Sequence, residues 1–252
     1  MDVISHNRKF MQCPNFREVI KDSDMQMGLP HPPVGKERAN EVITLPSFDS
    51  VATDAKYVDL LDLRRSERLY TDLPMSCEQL AFILWSAHGI QTQRGGITGS
   101  TLRPVPSGGA SHPFEIYALV GNVAGIDSGI YRYAPLENIG RKQVAIEFIR
   151  PFYAHQERCA ELFAGQKWVS KAAVVLFVSC VPYRAEWRYG AASHRVALID
   201  LGHIGQNMML SAAALGMGSC CLATYDQVLC DAALGLDGND EFVVYATSVG
   251  NI

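Results

Sequence analysis

The sequence contains no CxxC pair. Its seven cysteines, Cys13, Cys77, Cys159, Cys180, Cys220, Cys221 and Cys230, are odd in number and irregularly spaced. That pattern argues against a disulfide framework or a structural zinc site, and most of the thiols are expected as small buried hydrophobes. No metal ligand set is expected. Also missing is any apolar run near 18 residues without a polar interruption, and MDVISHNRKF lacks the apolar core of a secretion signal. No membrane association is expected, and the expected location is the cytoplasm. Basic excess is absent too: 22 Lys and Arg stand against 26 Asp and Glu, a net charge of −4. A nucleic-acid partner needs a concentrated basic face, so none is expected. There is no GxGxxG after a strand, no GxxxxGK[ST] and no HExxH. Dinucleotide-fold, P-loop and zinc-protease readings lose support accordingly.

What is present is apolar mass for a sizeable core, 48% of 252 residues, enough for one large domain or two small ones. The chain is organised around His194–Asp226, HRVALIDLGHIGQNMMLSAAALGMGSCCLATYD. Between Val196 and Leu215 nearly every residue is apolar or small, which predicts a helix buried on most sides. Asp200, His203, Gln206, Asn207 and Ser211 share one stripe at 100° per residue, the signature of a helix facing a partner, a cofactor or a subunit interface. Gly216 and Gly218 end that helix and Cys220–Leu222 follows as a strand. The turn between them presents free backbone N–H groups suited to a polar ligand edge. A plain core helix leading into a core strand fits the same pattern.

Residues 1–45 differ from the rest. Pro14, Pro30, Pro32 and Pro33 interrupt them, and GLPHPPVG reads as an extended connector. They form an N-terminal extension expected to pack over a single domain at 46–252. A short helix is predicted from Thr53 to Leu63, delivering RRSER at 64–68. Ser76 and Gln79 form a capping-box pair ahead of a second helix that Gly89 stops. Residues 89–113 are rich in glycine and proline without periodicity, and long loops of this kind are functional or flexible. Their closing PSGGASHP permits close backbone approach to a flat ligand. FEIYALV at 114–120 alternates like a half-buried strand and pairs with GIYRYA at 129–134 as a hairpin or meander. A helix is expected at 153–164 and a fully buried strand at 172–180. Asp226 N-caps a short helix ending near Gly235, and 242–248 is the last strand. Helices without regular βαβ alternation make the class α+β, with a mixed, mainly antiparallel sheet.

Three features suit one ligand. RRSER supplies guanidinium forks for a phosphate, PSGG a close-packed backbone, and Cys221–Thr224 N–H donors. A solvated charged turn is the plain alternative for Arg64–Arg68.

RRSERLYTDLPMSCEQLAFILWSAHGI, RPVPSGGASHPFEIYALVGNVAGIDSGIYRYAP, AGQKWVSKAAVVLFVSC and LGMGSCCLATYD together resemble the nitroreductase family. Within it they resemble the SagB-type branch, which includes azoline-oxidising dehydrogenases of peptide natural-product pathways. The resemblance runs from about residue 46 to the end, and the extension with GLPHPPVGKERANEVITLP is similar to that branch as well. It implies an α+β fold with helices flanking the sheet and FMN held at the interface of an intertwined homodimer. By the resemblance, Arg64, Arg65 and Ser66 hold the FMN phosphate and ribityl chain. Arg68 lies near flavin N1 and O2, where positive charge favours the reduced cofactor. Pro106, Ser107, Gly108 and Ala110 match the loop that crosses from the other subunit, and Gln166 a contact at the ring edge. Cys221, Leu222, Ala223 and Thr224 match the segment over the ring, whose backbone N–H points at N5.

Two departures stand out. The family often carries a basic residue after its last strand, where this sequence reads VGNI. Arg64 and Arg65 are therefore expected to carry more of the phosphate. The azoline oxidases carry a Lys-Tyr pair before the central helix, where this sequence has Arg188 and Tyr189, the candidate catalytic residues. The expected activity is FMN-dependent hydride transfer between flavin N5 and NAD(P)H or a small organic substrate. Azoline dehydrogenation and a non-catalytic flavin-binding role are the alternatives.

Overall fold

The computed structural model describes residues 2–51, 54–140, 143–153 and 155–252. Nine strands and eight α-helices are found among them. In chain order these are α1 (Val3–Met11), α2 (Phe16–Val19), β1 (Val42–Thr44), α3 (Tyr57–Leu63), α4 (Cys77–His88), β2 (Thr92–Arg94), β3 (Ser100–Leu102), β4 (Phe114–Val120), β5 (Gly129–Tyr133), β6 (Ala145–Pro151), α5 (His155–Leu162), β7 (Val174–Cys180), α6 (Tyr183–Tyr189), α7 (Ser193–Ala214), β8 (Gly218–Leu222), α8 (Gln227–Leu234) and β9 (Phe242–Gly250). Seven strands form one sheet in the order β1-β6-β5-β4-β7-β9-β8, and β2 and β3 form a separate ribbon. Every pairing between these strands is antiparallel. Parallel contact enters through single bridges, one of them Ser66 to Ser219. The fold is α+β, as the sequence predicts.

Side chains alternating along the central strands feed two cores. Phe114, Ile116, Ala118 and Val120 of β4, with Val174, Leu176 and Val178 of β7, pack against α4 and α7. Tyr117, Leu119, Val175 and Phe177 point the other way, toward α5 and α8. Helices cover both faces, so β4 is buried along its whole length, where its alternation predicts a half-buried strand.

The capping box forms: Ser76 Oγ accepts from Gln79 N–H and the Gln79 side chain accepts from Ser76 N–H. Asp226 caps α8 by accepting from Leu229 N–H, and Gly235 ends it. Other boundaries move. The helix expected from Thr53 begins at Tyr57, and Thr53 lies outside the described residues. The helix expected over 153–164 occupies His155–Leu162. The strand expected from residue 172 starts at Val174, and the last strand extends to Gly250.

The first 40 residues contribute groups to the buried interior. Arg103 donates to Val34 O, and Trp187 Nε1 donates to Leu29 O, both at 3.0 Å. Arg132 donates to Lys36 O and Glu37 O at 3.2 and 3.0 Å. Glu147 Oε1 accepts from the N–H groups of Ala39 and Asn40 at 2.7 and 2.8 Å. The connector thus satisfies charges inside the sheet that are otherwise costly to bury.

In α7 the expected polar stripe divides. Asp200, Asn207 and Ser211 turn inward: Asp200 and Ser211 are buried, and Asn207 Nδ2 donates to Ser86 O of α4 at 2.8 Å. His203 and Gln206 are exposed together with Ile199 and Gly202, so the open arc of the helix mixes polar and apolar residues. The polar stripe straddles the border between core and open face. Between Val196 and Leu215 the exposed residues are Leu198, Ile199, Gly202, His203 and Gln206, an arc of roughly 140° at 100° per residue, so the helix is buried or half-buried on most sides, as the composition suggests.

Among the described residues no helix is long and apolar enough to cross a membrane, and no group of three or more His, Cys, Asp or Glu could hold a metal ion. All seven cysteines are free, with Cys159, Cys180, Cys220 and Cys230 buried.

Candidate functional site

β8 is the last strand of the sheet, and the RRSER segment docks on its outer edge. Ser66 bridges Ser219, and Glu67 N–H donates to Ser219 O at 2.9 Å. This docking sets the five residues in order along the edge. Arg64 and Arg65 face a small cleft of about 120 Å³ closed by Met209, Met217 and Ile252. Neither guanidinium makes an ion pair among the described residues, which leaves two forks available to an anion. Arg68 extends the other way. Its Cζ lies 5.7 Å from the ring centre of Trp168, and its Nη1 donates weakly to Ser66 O at 3.4 Å.

Across the same edge, Gln166 Nε2 approaches Thr224 O at 3.5 Å. Gln166 precedes the single turn Lys167–Lys171 that carries Trp168. Leu222 ends β8, and Ala223 and Thr224 are exposed just beyond it, with Cys221 half-buried. Arg64, Arg65, Ser66, Arg68, Gln166 and Cys221–Thr224 therefore lie along one edge, spread over the end of α3, the turn before β7 and β8 itself. Burial pushes the Cys220 thiol up, against an opposing pull from Arg68, and burial likewise raises the Tyr70 hydroxyl beyond its ordinary value. Both stay protonated and neutral at physiological pH.

Pro106, Ser107, Gly108 and Ala110 are elsewhere. Asp200 Oδ2 accepts from Ser107 Oγ at 2.6 Å and from Gly108 N–H at 2.9 Å, while Ser107 Oγ accepts from His112 N–H at 3.0 Å. The loop is thereby tied to the first half of α7. Its glycines are needed for approach to protein: a Cβ on Gly108 would sit 2.4 Å from Val196 Cγ1. One on Gly109, at φ +62°, would sit 2.5 Å from the Tyr189 hydroxyl and 2.8 Å from Arg188 Cδ. Close approach to a flat ligand, the sequence-based reason for PSGG, is not how the loop uses its glycines within one chain. Arg188 and Tyr189 end α6 and are part of this second cluster, Arg188 near the Trp187 ring at 6.0 Å and Tyr189 edge-on to Phe16 at 5.9 Å.

The sequence-derived site thus falls into two clusters on α7. Met209 and Ala213 mark the arginine cleft; Val196 and Asp200 mark the loop. At 1.5 Å and 100° per residue they are separated by roughly 20 Å along the helix and roughly 140° around it. The open arc with Ile199, Gly202, His203 and Gln206 lies between them. Three contributors escaped the sequence reading as site residues. Trp168 has no local signature. In the sequence Glu67 is only part of a charged run. Asp200 was visible only as one member of the polar stripe.

Comparison with known proteins shows the family. The model of the nitroreductase family matches residues 61–251. A Methanocaldococcus jannaschii protein described as a nitroreductase is 30% identical over 183 residues, 73% of this chain and 84% of that protein. The trifolitoxin-processing protein TfxB of Rhizobium leguminosarum is 34% identical over 145 residues, 56% of this chain but 37% of that protein. A chain of the E. coli microcin synthetase McbBCD complex, solved with truncated pro-MccB17 bound, superposes with a TM-score of 0.60 at 20% identity, covering 100% of this chain and 98% of its own. With the family model spanning the α3–β9 framework that carries both clusters, the chain belongs to the nitroreductase family, a family of oxidoreductases.

Proposed function

We propose that the protein is an FMN-dependent oxidoreductase whose site is completed by a second copy of the chain. The observation that carries this reading is the alignment of Arg64, Arg65, Arg68, Gln166 and Thr224 along the β8 edge, with Arg64 and Arg65 in one cleft and without an ion pair among the described residues. That donor set fits a single phosphate at one end and a flat, hydrogen-bonding ring at the other. When bound, FMN supplies hydride transfer at N5, with NAD(P)H or a small organic molecule as the second reactant. Arg64, Arg65 and Ser66 would hold the phosphate and ribityl chain, and Arg68 would supply positive charge to the ring. The Cys221–Thr224 backbone and Gln166 would orient the ring edge.

The separation of the two clusters supports a homodimer. If the open arcs of two α7 helices meet about a twofold axis, the loop Pro106–Ala110, with Arg188 and Tyr189, reaches the partner's arginine cleft. Arg188 then binds an anionic substrate group, and Tyr189 holds or passes a proton.

The absorption spectrum tests the reading. The purified protein should be yellow, release FMN on denaturation, and bleach with NADH or NADPH under anaerobic conditions. Failure to take up FMN at micromolar concentration would refute it.

A second reading, azoline dehydrogenation on a peptide, is favoured by the likeness to the trifolitoxin-processing protein and to the microcin synthetase chain. Against efficient azoline oxidation stands Arg188, since an arginine stays protonated and is a poor base.

A further inference from the structure

Arg68 is exposed and makes no ion pair among the described residues. Its Nη1 reaches Ser66 O at 3.4 Å, a hydrogen bond at its long limit. The firmer contact is the indole of Trp168, whose ring centre lies 5.7 Å from Arg68 Cζ. An arginine left free in solvent samples many rotamers, and an aromatic face restricts them.

Trp168 is itself fixed. It sits in the single turn Lys167–Lys171, which Val169 pins to the second core with a fully buried side chain. The indole packs against that core and against Tyr70, with ring centres 6.4 Å apart at 36°. The Tyr70 hydroxyl donates to Glu67 O at 2.9 Å and lies 2.8 Å from Ser248 Oγ. Behind the tyrosine there is no slack, since a Cβ on Gly250 would sit 2.9 Å from Tyr70 Cδ1. Glu67 is bonded in turn to Ser219 of β8. Tyr70 and Trp168 thus form a platform tied to the strand edge, and Arg68 lies on it.

We propose that Trp168 is a positioning residue, whose indole face holds the Arg68 guanidinium as a fixed charge on the ring side of the cofactor site. This rests on the flavin reading. A fixed positive charge beside the ring favours the reduced, anionic cofactor, and one averaged over many rotamers favours it less. Trp168 thereby tunes the reduction potential, while the phosphate end at Arg64 and Arg65 is untouched.

The midpoint potential of FMN bound to the protein tests this. Trp168→Leu keeps apolar bulk but removes the aromatic face. It should move the equilibrium about two- to fivefold toward the oxidised form, about 10–20 mV for a two-electron couple. Trp168→Phe should retain most of the wild-type value. Arg68→Gln should also lower the potential, and Trp168→Leu added to it should lower it no further. In the flavin-free protein, the order parameter of Arg68 Nε–H should be high in the wild type and fall in Trp168→Leu. An unchanged potential in Trp168→Leu would overturn the proposal, as would a shift that phenylalanine does not restore or that persists in the Arg68→Gln background. A disordered Arg68 in the wild type would overturn it too, and that measurement needs no variant. Failure of the wild type to take up FMN defeats the flavin reading and this inference together, whereas uptake with equal potentials in wild type and Trp168→Leu defeats this inference alone.

Discussion

Arg65 is exposed and Arg64 half-buried, and both face the cleft beside Met217. A charge-assisted hydrogen bond is worth about 1.5–3 kcal/mol, so Arg65→Ala should weaken FMN binding by about 10- to 150-fold, read by flavin fluorescence titration. Unchanged affinity would place the phosphate elsewhere. Asp200 does different work, holding the loop through Ser107 and Gly108. Asp200→Ala strands a hydroxyl and an N–H and should cost about 2–4 kcal/mol in denaturant unfolding. At Arg188 the question is chemical. The wild type should convert a thiazoline peptide to the thiazole slowly, with a gain in Arg188→Lys. Rapid conversion by the wild type would favour the azoline-dehydrogenase reading instead.

Elements whose signals are local were legible. α4 has its capping box in sequence and α8 its Asp226 and Gly235. β4 and β7 announce themselves by composition. Ser76→Ala should accordingly cost about 1 kcal/mol, measured as a shift in denaturation midpoint without change in slope. β6 was not legible because Glu147 sits inside it, acceptable only because Arg132 and the N–H groups of Ala39 and Asn40 reach it from elsewhere in the chain. α1 was hidden for the opposite reason, burying no residue of its own. The residue types of the candidate site could be picked out one motif at a time. Their division between two ends of α7 could not, since it depends on Glu67 meeting Ser219 and Ser107 meeting Asp200 across about 150 and 90 residues of chain.

The molecule as a whole carries an acid sensitivity in its interior. Burial first, and the Arg103 guanidinium next, lower the His112 imidazole to about 3, and His88 beside it is lowered in the same way. The unfolded chain takes up these protons near pH 6.5 and the folded chain does not. Stability therefore rises with pH across roughly 3 to 6.5 and is lost as pH falls through that window. The melting temperature should drop between pH 7 and pH 4, less steeply in His112→Asn. Asparagine tolerates the left-handed backbone at this position, where φ is +41°. An equally steep profile in that variant would assign the acid sensitivity to other groups.

The proposed division of the site between two copies of the chain has a direct test in subunit mixing. Arg64→Glu/Arg65→Glu spoils the cleft. Gly109→Val spoils the loop, because its Cβ meets the Tyr189 hydroxyl at 2.5 Å. Each variant alone should dimerise and fail to oxidise NAD(P)H with a quinone acceptor. Co-expressed in equal amounts, about half of the dimers are mixed, and each mixed dimer holds one site with both halves intact. Recovery of about a quarter of wild-type turnover is expected in the mixture. A mixture no more active than its two parents would show that the cleft and the loop of one chain serve the same site.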